Sequence, residues 1–402
     1  MSMLNRRDVL KSLGLTAFVS AAPGLTFAAA DTDARFVLVV LRGAVDGLAE
    51  AAPYGDGNYR KVRGELALPE PGSSDGLLRL DGFFGLHPSL ARVHESFAAG
   101  EASIIHAIAG PYRDRSHFDG QDLLESGATQ VGDLRDGWLN RALPPLGGHI
   151  GSEVAIAMSQ NTPLVLRGDN SVTSWAPSKL PDADASTLTR LQGLYADDEF
   201  FSTRLQQALR SQNIADENSN MGGDRSRGND TKQFAELMQS TARFLATPDG
   251  PSIAVVELGG WDTHANQGST SGSLANRLAA LDTGLGNLQD ALGSTWDQTV
   301  IAVVTEFGRT VHVNGTRGTD HGTGTAALLL GGPINGGKVI ADWPGLGSSN
   351  LYAGRDLLPT TDLRSMFKGV LGDHLNLPPA FIEREVFPNS AAAAPMRDLI
   401  KS

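Results

Sequence analysis

Four short apolar runs, spaced along the chain by stretches of helical periodicity, constrain the fold more than any other feature of this sequence. They span 36–41, 102–109, 252–258 and 299–304. Each is rich in Val, Ile, Leu and Ala with little polar interruption, which is how a strand reads when both its faces are covered. Helical patterns at 90–99 and 274–292 and a mostly helical stretch over 186–245 lie between them. Further short strand candidates fall at 153–158, 162–166, 326–330 and 339–340. Strands alternating with helices imply parallel crossovers and an α/β fold whose mostly parallel sheet is covered on both faces. No repeat or linker divides the chain, so 31–402 reads as one domain. A break over 213–230, crowded with Asn, Ser, Gly and Asp, reads as a mobile insertion.

The residues that are missing limit the chemistry. There is no cysteine, so disulfides, thiolate metal sites and a cysteine nucleophile are excluded. Any metal has to be held by Asp, Glu, His and oxygen donors. The formal net charge is −12, with acids and bases dispersed and no Lys/Arg stripe, which argues against nucleic acid as a partner. Near the start, Asn5-Arg6-Arg7-Asp8-Val9-Leu10-Lys11 is a twin-arginine pattern, followed by a weakly apolar stretch and then Ala28-Ala29-Ala30. Residues 1–30 therefore read as a Tat-type export signal, too short and too rich in Gly, Ser and Pro to be a membrane span. The expectation is a chain handled by the Tat translocase, soluble in the periplasm and without stable membrane insertion.

Function is written at the ends of the apolar runs. Gly260-Trp261-Asp262-Thr263-His264 follows the third run, and Thr305-Glu306-Phe307-Gly308-Arg309-Thr310 follows the fourth. Gly318-Thr319-Asp320-His321-Gly322 lies in a third glycine-rich loop, and Asp46 comes just after the first run. Carboxylates and imidazoles gathered at strand ends are how α/β folds assemble metal sites. Asp262 and His264 suit zinc or a similar divalent ion. Asp46 reads either as a ligand or as a turn carboxylate bonding its own backbone. Glu306 is a further ligand candidate and Arg309 an anion-binding fork, unless the two pair with each other. His321 is the better ligand of its loop, with Asp320 serving a neighbouring ion or supporting a ligand. Ser116, in Arg113-Asp114-Arg115-Ser116-His117-Phe118, opens a helical pattern and reads as nucleophile, N-cap or both. Arg42, Arg115 and His117 are the accompanying candidates for binding substrate.

As an ordered set these blocks resemble the DUF1501 family, Tat-exported bacterial proteins within the alkaline phosphatase-like superfamily. The likeness rests on Leu-Arg-Gly-Ala-Val-Asp-Gly-Leu, Arg-Ser-His-Phe, Gly-Gly-Trp-Asp-Thr-His, Thr-Glu-Phe-Gly-Arg-Thr and Thr-Asp-His-Gly. The resemblance implies an alkaline phosphatase-like three-layer α/β/α sandwich with two divalent ions, usually zinc, flanking a Ser or Thr nucleophile. By motif order Ser116 matches the nucleophile. Asp262, His264 and His321 would hold one ion, and Asp46 and Glu306 would serve the other. Phe307 stands where a histidine is expected, which leaves the second ion short of a nitrogen unless His117 supplies it. With Asp320 added, a carboxylate-richer site would take Mg, Mn or Ca. Ser116 is not followed by the Pro and Arg of the sulfatase signature, so a type I sulfatase is disfavoured. The function implied is an exported metal-dependent hydrolase of small-molecule or polymer-borne phosphate or related esters. The alternative is a non-catalytic metal-containing binding or surface-assembly protein on the same fold.

Overall fold

The computed structural model describes residues 33–147, 154–177, 185–198, 201–202, 205–206, 208–209, 230–248 and 250–401. The twin-arginine segment, His149 and most of the expected insertion at 213–230 lie outside them. Nine strands form the central sheet: β1 Arg35–Arg42, β2 Ala102–Ala109, β3 Ala155–Ala157, β4 Thr173–Ser174, β5 Ile253–Gly259, β6 Thr299–Val304, β7 Thr325–Leu330, β8 Lys338–Ile340 and β9 Thr361–Asp362. Their order is β8-β2-β7-β6-β1-β5-β3-β4, with β9 also pairing β2. Strand β1 is central and runs parallel to β5 on one side and β6 on the other. Only β7 runs against its neighbours, antiparallel to both β2 and β6.

The helices that matter here are α1 Ala91–Ala98, α2 His117–Ser126, α3 Trp138–Ala142, α4 Asp230–Ala246, α5 Ser273–Leu292 and α6 Leu363–Asp373. Side chains of a strand alternate between faces, and β1 shows it directly. Val37, Val39 and Leu41 join a core with Phe234 and Met238 of α4 and Leu278 and Leu281 of α5. Phe36, Leu38 and Val40 join another with Trp138 of α3 and Met366 and Phe367 of α6. Two apolar cores on opposite faces make the three-layer α/β/α arrangement expected of continuous apolar strands.

Two expectations change. The run at 162–166 forms a 3-10 helix at Leu164–Leu166 instead of a strand, entered from Pro163, which has no N–H to give a ladder. A second small sheet of Ala51–Ala52, Leu78–Arg79 and Gly85–Leu86 covers a region where no strand is expected. The reversed direction of β7 has the larger consequence for function. The loops after β1, β5 and β6 leave the C-terminal edge of the sheet, and the loop before an antiparallel strand opens on that same edge. The Asp320–His321 loop, which precedes β7, is thereby brought beside Asp262 and Glu306.

Candidate metal centre

Tight glycines let these loops touch. Gly43 has φ +122, and a Cβ there would stand 2.7 Å from the backbone nitrogen of Asp262. A Cβ on Gly318 would stand 2.4 Å from the His264 backbone. Any side chain at either position would push the strand-end loops apart.

Three imidazoles and one carboxylate meet where the loops converge. His117 Nε2 lies 3.0 Å from His321 Nε2, which lies 3.0 Å from His264 Nε2. Asp262 Oδ1 is 3.0 Å from His264 Nε2 and 3.2 Å from His321 Nε2, and its Oδ2 is 3.6 Å from His117 Nε2. The ligand atoms of His117, Asp262 and His321 all lie within 4.8 Å of one another, so the group could hold a metal ion.

The far side of each ring is occupied. His117 Nδ1 donates to Glu306 Oε1 at 2.7 Å, His264 Nδ1 to Asp320 Oδ1 at 3.1 Å, and His321 Nδ1 to the Arg115 carbonyl at 2.9 Å. Arg115 adopts φ 65, the left-handed conformation that L side chains rarely take, while its guanidinium pairs with buried Asp356. With every Nδ1 carrying its proton, the neutral rings of His117 and His264 each turn an Nε2 lone pair toward that of His321. Such a meeting is repulsive unless a proton or a cation lies between them. Donors held about 2.0–2.1 Å from a tetrahedral ion lie roughly 3.3 Å apart, close to the 3.0–3.6 Å separations among His117, Asp262 and His321. His264 approaches His321 and Asp262 from outside that group. The donor set fits a divalent ion.

Neighbouring charges and burial act on the members of the cluster in different directions. Burial pushes the Asp262 carboxyl up, but the Arg309 hydrogen bond and charge outweigh it and hold the group below the usual range. Glu306 is likewise pushed up by burial and brought down further by His117, backbone, Gln121 and Thr305 donors. The Asn314 hydrogen bond leads in lowering Asp320. Bonding to Glu306 raises His117, and burial lowers His321. Phe307 stacks on His117 with ring centroids 5.0 Å apart, so the residue standing in place of a histidine braces one.

The remaining candidates separate. Arg309 is fully buried and is used within the protein, its Nη1 on Asp262 at 2.5 Å and its other nitrogens on Thr319; it does not pair with Glu306. Arg42 is used on Glu257, Glu125 and Gln121. Ser116 is the N-cap residue of α2, half-buried, yet its side chain makes no capping bond. Its backbone N–H donates to the Tyr112 hydroxyl at 3.1 Å.

Asp46 is not brought into the cluster. It is buried, and its Oδ2 accepts from Arg63 and from Gln267 at 2.6 Å. Gln267 in turn accepts from Thr263 and Thr319. Glu50, also buried, stands near Asp46, and burial followed by that charge raises its carboxyl to about 8. Neither Arg63 nor Gln267 carries a local signal in the sequence; each becomes visible only through burial. Among the other histidines, His87, His94, His106 and His374 bond main-chain carbonyls, as structural histidines do.

No functionally characterised protein matches the chain in sequence. Solved structures similar to it include a phosphonate monoester hydrolase of Agrobacterium radiobacter, 15% identical over 86% of this chain and 74% of that one, with TM-score 0.38. A protein in the alkaline phosphatase superfamily from Vibrio parahaemolyticus is 12% identical over 84% of this chain, which spans 65% of that one, with TM-score 0.40. The PsFucS1 sulfatase from Pseudoalteromonas sp. is 14% identical over 90% and 74%, with TM-score 0.36. In sequence, residues 101–385, which carry His117, Asp262, His264, Glu306 and His321, match the model of a family described as "Protein of unknown function (DUF1501)", and the chain belongs to that family.

Proposed function

We propose that this chain is an exported metal-dependent hydrolase of phosphate or related esters, with a divalent ion held by His117, Asp262, His264 and His321 and with Ser116 as nucleophile. The observation that carries the metal is the close group of His117, Asp262 and His321, with His264 Nε2 also turned to His321, and with all three Nδ1 protons given elsewhere. Three nitrogens and one carboxylate suit zinc better than Mg, Mn or Ca, which prefer oxygen donors.

A bound ion supplies Lewis-acid polarisation of an ester oxygen. The chain's own residues supply the positioning. Glu306, Asp320 and the Arg115 carbonyl fix the three rings, and Arg309 keeps Asp262 ionised and in place. Ser116 stands beside His117 at the start of ten-residue α2, where first-turn N–H groups favour an anionic ester. Attack by Ser116 Oγ forms a bond to the ester's central atom, breaks its bond to the leaving oxygen and transfers the hydroxyl proton to that oxygen. Metal content of protein purified without chelator, with turnover of p-nitrophenyl phosphate and its diester, tests the reading. Bound zinc and turnover lost in Ser116→Ala are expected; unchanged turnover in that variant removes the nucleophile.

One observation favours a second reading. Arg42, Arg115 and Arg309, the guanidinia expected to hold an ester anion, are all engaged by carboxylates of the chain. A non-catalytic metal-containing binding or surface-assembly protein needs no such arginine. A tightly held ion with no turnover of phosphate monoesters, diesters or sulfate esters would select it.

For location, the described residues include no helix long and apolar enough to cross a membrane. Export through the Tat translocase is the reading of Arg6 and Arg7. Replacing both with Lys should hold the chain in the cytoplasm, and recovery of that variant from the periplasm would refute it.

A further inference from the structure

We propose that the centre holds a single divalent ion, and that the buried guanidinium of Arg63 stands as a permanent cation where a second ion would otherwise be needed. This rests on the metal reading above. The family resemblance implies two ions and gives the second to Asp46 and Glu306. Donors of the chain itself occupy one oxygen of Asp46 and both oxygens of Glu306, and the buried Asp46 Oδ1 has no partner among the described residues. Asp46 Oδ2 accepts from Arg63 and Gln267. Glu306 Oε1 accepts from Gly43 N at 2.9 Å, His117 Nδ1 at 2.7 Å and Gln121 Nε2 at 3.2 Å, and its Oε2 accepts from the Thr305 hydroxyl at 2.9 Å. The nitrogen that such a site would borrow, His117 Nε2, faces His321 and Asp262 instead.

Arg63 cannot step aside. Its side chain is fully buried, and its Nη1 donates to the carbonyls of Thr310 and Val311, both at 3.3 Å. A guanidinium stays protonated in a protein. A divalent ion on Asp46 would therefore lie against a fixed positive charge, in an interior where repulsion is poorly screened. Expelling Arg63 from Asp46 would leave an unpaired charge in the core. One path joins the two regions: Arg63 bonds Asp46, Asp46 bonds Gln267, Gln267 bonds Thr319, and Thr319 bonds Arg309, which holds Asp262. Each carboxylate on that path has its own arginine. Only Asp262 also faces the three imidazoles.

Calorimetric titration of the full, chelator-stripped chain with Zn²⁺, paired with elemental analysis, tests this. One equivalent is expected in the wild type, one of unchanged affinity in Asp46→Asn and one bound more weakly in Asp262→Asn. Where Asp46→Asn does not fold, the double variant Asp46→Asn with Arg63→Met, which removes both charges, takes its place with the same expected count. Two equivalents in the wild type, or loss of one on replacing Asp46, overturns the single-ion centre. No equivalent in the wild type brings down the metal reading itself, and this inference with it.

Discussion

Asp262 and Asp46 both follow central strands, three residues past β5 and four past β1, and end in opposite surroundings. The Asp262 side chain is 42% exposed, with Arg309 behind it and three imidazoles in front, while Asp46 is 1% exposed and closed in by Arg63 and Gln267. Position at a strand end is therefore only half of what makes a ligand. Each carboxylate has its own arginine, so the other half is what faces it on the remaining side. Around Asp46 the neighbours are Arg63 and Gln267, both on Oδ2, whereas Asp262 also faces imidazole nitrogens. On the proposed reading Asp46 serves stability and Asp262 the ion, and mutations can separate the two.

The largest expected effect is on stability. Arg63→Met leaves Asp46 charged and buried without its ion pair, and should destabilise the chain by about 3–5 kcal/mol. Denaturant unfolding measures it, and adding Asp46→Asn should restore much of the loss. A single variant as stable as wild type would break the assignment of Asp46 to the fold.

Glu50 gives the next effect, through pH. Its folded value of about 8 lies above the ordinary glutamate value of 4.5. The folded chain therefore holds more protons than the unfolded one between those values, and stability declines as pH rises through that window. Glu50→Gln should remove the decline and gain about 2–3 kcal/mol near pH 7.5. Unfolding curves across that range, run on both proteins, decide it; parallel slopes would mean that Glu50 is charged in the folded state.

The fold could be read because β1, β2, β5 and β6 are apolar runs with little polar interruption, as strands buried on both faces are. The direction of β7 could not, since Thr325-Ala326-Ala327-Leu328-Leu329-Leu330 is equally apolar whichever way it runs. Within the site, Asp262, His264 and His321 were legible from acids beside histidines in glycine-rich loops. The role of His117 was half legible: it reads as a substrate-binding residue or a spare nitrogen for a second ion, and its ring joins the Asp262 group instead. Glu306 reads as a ligand and lies behind His117. Arg63 was not legible, because Tyr59-Arg60-Lys61-Val62-Arg63 looks like any basic surface helix until its last residue proves buried.

Behind the histidines the expected effects are smaller, and they rank by burial. Glu306→Gln keeps the shape but weakens the acceptor on His117 Nδ1, and zinc affinity should fall by about 10–100-fold. Asp320 performs the same service for His264 with its side chain 51% exposed. Water can replace it there, and solvent screens its charge. Asp320→Asn should therefore cost less than about tenfold in zinc affinity at the low end of such losses, with no change in unfolding midpoint of the metal-free chain. The two titrations, run side by side, sharpen the contrast between carboxylates that hold a ring and those that meet an ion. A loss for Asp320→Asn larger than that for Glu306→Gln would mean that Asp320 reaches the ion directly, and the donor set would then have to be redrawn around it.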